Sequence, residues 1–164
     1  KGESETPKTT WAGLDHLEGK SVSIVADRVV LTNQTVSGGT VTLDEAASEV
    51  EIGLSYTHIV EPLPPSVLAD TGGGRKVRMI EGIYRIQQTS ALRLDVGRGA
   101  QDISLLQIGE DEILDAPPPS VSGDIKVRAL GWQLDGTRPL WKIEQSAPLP
   151  FTLLSVSMEL KVND

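Results

Sequence analysis

His16 and His58 are the only imidazoles in the chain, and there is no cysteine. General-base, nucleophilic or metal chemistry would have to be built from these two residues and the carboxylates. Neither histidine falls in an H-x-E or H-E-x-x-H spacing, so no local pattern supplies the paired ligands of a zinc site. A centre assembled in space from His16, His58 and distant acids is open to the fold, but nothing in the spacing asks for it. The acids Asp15, Glu18, Asp27, Asp44, Glu45, Glu110, Asp111, Glu112 and Asp115 are spread along the chain. A glycosidase needs two carboxyls facing each other across about 5–9.5 Å, a relation that sequence does not encode, and solvated turns account for all of them. Glu110-Asp111-Glu112 lacks the interleaved Asp, Asn and Gly positions of a calcium loop.

Other reactive patterns fail in the same way. No G-x-S-x-G elbow raises a serine nucleophile. Three consecutive glycines before Arg75 and Lys76 suggest a phosphate cradle, but the P-loop spacing is absent and no Ser or Thr follows the lysine. Trp11, Trp132 and Trp141 would stack on sugars if exposed on one face, and would pack in a core otherwise. Trp141 is in phase with Ile143 in an alternating run and is expected to be buried; Trp11 and Trp132 remain open. The residues therefore predict no catalytic, cofactor-binding or metal-ligating position, and no cofactor.

The elements that must position these side chains read as strands almost throughout. Val22 and Ile24 alternate with Ser21 and Ser23, Val41 and Leu43 with Thr40 and Thr42, and Val50, Ile52 and Leu54 with Glu49, Glu51 and Gly53. Period two predicts one buried and one wet face. Asp27-Arg28, Asn33-Gln34 and Ser37-Gly38-Gly39 are expected turns, giving five or six short strands. Lys76 to Gln88 keeps the period but slips phase; a short helix with Ile80, Ile83 and Tyr84 on one face competes with a strand bulged near Met79-Ile80 or bent at Gly82, and Gly82 and the β-branched residues favour the strand. Leu92 to Val96, Ile103-Leu105, Ile125-Val127 and Trp141-Ile143 continue the pattern. The longest alternation comes last, with Leu154, Val156, Met158, Leu160 and Val162 on one side of a long antiparallel strand. No amphipathic helix of three turns is visible, and no internal repeat. The expected fold is all-β, with antiparallel β-sandwich or barrel units and little helix.

Residues 1–10 are polar and expected to be a frayed or linker start. A small β-unit is expected over 11–62, a Pro/Gly-rich connection over 63–75, and a second β-unit over 76–164, packed on the first or continuous with it. Gly109 to Ser120, acidic and then proline-rich, reads as a loop. The chain opens on Lys1 rather than Met, which reads as processed or cut from something longer, and the first ten residues lack the apolar core of a secretory signal.

At 164 residues the chain holds one ordinary domain or two small ones. Without cysteine there is no disulfide framework, thiolate metal site or cysteine nucleophile. No apolar run approaches the ~18 residues of a membrane helix, so a soluble protein without a membrane partner is expected. The net charge of −8 makes phosphate-backbone binding a poor expectation.

The stretch Trp11 to Asp27, W-A-G-L-D-H-L-E-G-K-S-V-S-I-V-A-D, resembles a signature of the tail tubular B (nozzle) and phage stabilisation proteins of short-tailed bacteriophages. There a G-L-x-H/Y-L-E-G-x-x-V-x-V-x-A-D-G segment opens a β-rich module. Gly13, Leu14, His16, Leu17, Glu18, Gly19, Val22, Ile24, Ala26 and Asp27 fit, and Arg28 stands where the family usually has Gly. Thr35 to Leu43 is similar to the family's next hairpin. Gly53-Leu54-Ser55-Tyr56-Thr57 resembles its G-L-P-Y-T segment, with Ser55 in place of Pro. Gly131-Trp132, Asp135-Gly136 and Ile143 to Val156 resemble its closing strands.

The likeness covers the C-terminal part of such a protein, with a poorly matched middle. It implies a structural virion component rather than an enzyme, made in the bacterial cytoplasm and resident in the phage tail. It also implies rings around the DNA exit channel, with copies of the chain and other tail proteins as partners and DNA passing without specific binding. The alternative reading is a carbohydrate-binding or host-attachment β-module.

Overall fold

The computed structural model describes residues 1–64, 76–105, 119–129 and 138–163. Most of the connection expected at 63–75 and of the loop expected at 109–120 lies outside the described residues. So do Glu110, Asp111, Glu112, Asp115, Trp132 and Asp135-Gly136. The fold is all-β: a single three-residue 3-10 turn, Asp15–Leu17, accompanies eleven strands among the described residues, all in antiparallel sheets. The strands divide between two compact units.

The first unit comprises Lys1–Tyr56, joined by Ser146–Leu149 from far along the chain. Its strands are β1 (Gly2–Ala12), β2 (Ser21–Ala26), β3 (Val29–Thr35) and β4 (Thr40–Gly53), hydrogen-bonded in the order β1-β4-β2-β3. The core gathers Trp11, Val22, Ile24, Val36, Val41, Leu43, Ala47 and Val50, with Leu14, just before the 3-10 turn, and Leu17 within it packed against it. Burying a Val, Leu or Ile stabilises by about 1.5–3 kcal/mol, so this patch supplies most of the unit's driving force.

Four expectations fail here. Residues 1–10 are not frayed: β1 pairs with β4 from Gly2↔Val50 to Ala12↔Thr40. An edge strand is held by backbone bonds on one side, so its side chains need not alternate, and Pro7 is tolerated where no donor is required. Its register is broken on both sides of Lys8, which hides any period. Asn33-Gln34 is no turn but the interior of β3, where Gln34 pairs with Val22. The two runs Val41-Leu43 and Val50-Ile52 are one 14-residue strand rather than two. β2, central in the sheet, also departs from one-sided burial: Ser23 and Val25 are buried along with Val22, Ile24 and Ala26.

The second unit takes the described parts of Thr57–Leu105, Ser120–Gln145 and Pro150–Asp164. Its strands are β5 (His58–Val60), β6 (Lys76–Thr89), β7 (Leu92–Asp95), β8 (Gln101–Ile103), β9 (Val121–Arg128), β10 (Lys142–Gln145) and β11 (Leu153–Asn163). They form two sheets, β5-β10-β7-β8 and β11-β6-β9. One core joins them: Val77, Met79, Tyr84 and Ile86 from β6 meet Leu92 and Leu94 from β7 and Ile143 from β10, with Trp141 just before β10. This is a β-sandwich. β5, expected within the first unit's span of 11–62, belongs here because its three residues pair with β10, Ile59 opposite Glu144. So short a strand is placed by a partner some 80 residues away, not by its own pattern.

The phase slip in β6 has the expected origin. Glu81 faces Glu159 and Met79 faces Leu160, so Ile80 is the extra residue of a bulge. A second irregularity lies on β11, where Leu153 faces Ile86 and Ser155 faces Arg85. It turns Leu154 outward, 55% exposed, and Leu153 toward the core. Leu154 therefore leaves the apolar row in which its spacing had put it.

Candidate functional site

The residues of the Trp11–Asp27 signature run through the 3-10 turn and along β2, and its two acids Glu18 and Asp27 bind backbone N–H groups. The Glu18 carboxylate accepts the N–H groups of Gly38 (3.0 Å) and Gly39 (2.8 Å). Gly19 N–H donates to the Val36 carbonyl and Leu14 N–H to the Gly39 carbonyl, at 3.0 Å each. The 3-10 turn is thus sewn to the tight turn Ser37–Thr40, where Gly38 and Gly39 take φ of +60° and +64°. Only glycine holds that conformation without steric cost.

Asp27 does the same at the other end of β2. Its carboxylate accepts Glu49 N–H at 2.9 Å and Ser48 N–H at 3.2 Å, and its own N–H donates to the Glu49 carbonyl at 2.9 Å. These donors lie where the burial phase of β4 shifts from Ala47 to Val50, and the carboxylate occupies the N–H groups freed there. Asp27 and Arg28 form the β2–β3 turn with φ of +45° and +72°. Arg28 stands there in a left-handed conformation that glycine adopts freely and other residues adopt at a cost.

The remaining candidates separate. Asp15 is exposed on the 3-10 turn beside Gly39, and Asp44 and Glu45 are exposed on β4. His16 is exposed in the first unit, whereas His58 is half-buried in the second and stacks on Phe151, ring centroids 5.3 Å apart. Among the described residues no three or more of His, Asp and Glu gather as a metal site would require. Trp11 and Trp141 are 5% and 6% exposed. Trp11 carries the Lys8 ammonium over its ring at 4.3 Å, and Trp141 meets Tyr84 edge-on at 5.6 Å. Neither presents an open face to a sugar.

Sequence reasoning missed further residues of the same kind. Asp95 accepts the N–H groups of Gly97, Arg98 and Gly99 at 2.8–3.0 Å. The D-V-G-R-G spacing was the available signal, an acid followed by glycines that free the chain to fold back over it. Arg85 on β6 and Asp124 on β9 make a two-pronged ion pair at 2.7 and 2.9 Å. That bond holds the Asp124 carboxyl below its ordinary 3.8 and raises Arg85 further. Burial pushes the Tyr84 phenol well above its ordinary 10.0. No sequence signal foretold these two, because each depends on which strand lies alongside.

What this arrangement can do is hold loops and present strand edges. β1 and β3 flank the first sheet, β5 and β8 the second, and β11 and β9 the third. No helix of the described residues is long and apolar enough to cross a membrane. No family model matches the chain. No curated protein matches it either.

Proposed function

We propose that this chain is a structural component of a bacteriophage tail, a fragment of a nozzle (tail tubular) or DNA-stabilisation protein. It acts in the virion by assembling with copies of itself and with other tail proteins around the DNA exit channel, and it is not an enzyme. One observation carries the reading: the carboxylates of the signature, Glu18 and Asp27, are spent on backbone N–H groups further along the chain, those of the Ser37–Thr40 turn and of β4. Such a motif preserves a shape rather than a reaction, as a ring-building module requires. The net charge of −8 suits a wall along which DNA passes without adhering.

Electron microscopy of the full-length protein tests it, with annular particles expected. A gel-shift at low salt should show no retention of duplex DNA. Dispersed monomers with a turnover abolished by replacing His16, His58 or a clustered acid would overturn the reading.

A further inference from the structure

β11 is an edge strand with an unusual composition. It runs from Leu153 to Asn163 without proline or glycine, and among the described residues its only sheet neighbour is β6. Every second residue of an antiparallel edge directs its N–H and C=O outward, a ready template for another strand. Edges of this kind are usually blunted by charge or proline. Here the only charges are Glu159 and Lys161, flanking Leu160, and among the described residues neither has an ion-pair partner. On the face that packs toward the core, Met158 and Val162 remain 37% and 38% exposed at the rim, while Leu160 between them packs inward.

We infer that β11 pairs antiparallel with β11 of a second copy, about a two-fold axis at Leu160. In that register Leu160 faces Leu160, Met158 faces Val162, and Glu159 faces Lys161 twice over. Both half-exposed apolar residues gain a cross-strand partner, and both charges gain an opposite one. Neighbouring registers are poorer. Centring on Glu159 sets like charges against each other. Centring on Met158 puts serines opposite both charges. An offset of one residue puts Leu160 beside Glu159 and turns the apolar faces to opposite sides of the joined sheet. The two three-stranded sheets would become one of six, closed by symmetry and therefore limited to two copies. A strand pair of this length buries less than the roughly 1,600 Å² of a standard interface, so the dimer forms in a concentration-dependent way.

The pairing rests on β11 alone and not on the tail reading; ring contacts would use other edges or displace this one. Sedimentation of the chain over a concentration series tests it. A monomer–dimer equilibrium is expected, weakened at least about tenfold by either E159K or K161E, since each sets like charges opposite one another. The double variant E159K/K161E regains wild-type association. An equimolar mixture of the two single variants also associates, as a heterodimer. A monomer at all concentrations overturns the inference, as does association indifferent to both substitutions or a mixture that stays monomeric.

Discussion

The Tyr84 ring lies over Gly82, two residues earlier on the same face of β6, so closely that a Cβ at position 82 would stand 2.8 Å from Tyr84 Cε2 and 3.0 Å from its oxygen. The bare backbone at Gly82 is the floor on which the largest fully buried side chain of the second unit rests. Opposite Gly82 on β11 stands Met158. Glycine weakens a strand by itself, and a neighbouring aromatic ring covering it restores the lost packing.

Gly82→Ala should therefore destabilise the second unit, although alanine is the better strand residue. Displacing a buried ring costs about 1–3 kcal/mol. Urea denaturation would read the loss, and the near-ultraviolet circular dichroism of Tyr84 and Trp141 should change with it. An unchanged midpoint would show that the ring shifts freely.

Tyr84 also sets the alkaline limit. Its folded-state ionisation lies well above 10.0 because burial disfavours the phenolate. The unfolded chain ionises near 10.0 and the folded one does not, so stability is full below that pH and falls as pH rises toward the folded value. Tyr84→Phe keeps the ring over Gly82 and removes a buried hydroxyl that has no hydrogen-bond partner among the described residues. It should flatten the alkaline limb and leave stability at pH 7 unchanged or raised by up to about 1 kcal/mol, as measured by denaturation across an alkaline pH series.

The acid limb belongs in part to Asp124. Its hydrogen bonds from Arg85 lower its folded-state ionisation below 3.8. The pair's contribution is present above the unfolded value and is lost as pH falls through the folded one. Asp124→Asn should make the acid side of the stability profile shallower. The difference from wild type should shrink in high salt, because the pair is exposed.

Glu18→Ala should loosen the first unit by about 1.5–2 kcal/mol, the lower part of the range for hydrogen bonds to a charged group. Glu18→Gln, which keeps one acceptor oxygen, should lose about half as much. Amide exchange at Gly38 and Gly39 reports it directly: both should accelerate in Glu18→Ala. Protection as in wild type would mean that the turn holds itself.

The two turn glycines should not be equivalent. Gly38→Ala meets open space and bears only the left-handed backbone, about 1–2 kcal/mol. Gly39→Ala has a similar φ and in addition sets its Cβ against the Asp15 carboxylate. The second variant should melt lower than the first, and Asp15→Ala should close the gap. Equal melting temperatures would show that Asp15 gives way at no cost.

All-β character, the Ser37-Gly38-Gly39 turn, the Ile80 bulge in β6 and the burial of Trp141 were legible in the order of residues, because period, glycine placement and β-branching act within a few positions. The tertiary structure decided what depends on a partner far along the chain. Residues 1–10 became β1 only by lying against β4, and His58–Val60 joined the second unit only by meeting β10. Leu154 turned outward because β11 carries an irregularity against β6. The acids divided in the same way: their turn-like surroundings could be read, but not that Glu18 reaches Gly38 and Gly39 or that Asp27 reaches Glu49. A carboxylate binds whichever N–H groups the fold leaves unpaired, and those are set by strand register rather than by the residues beside it.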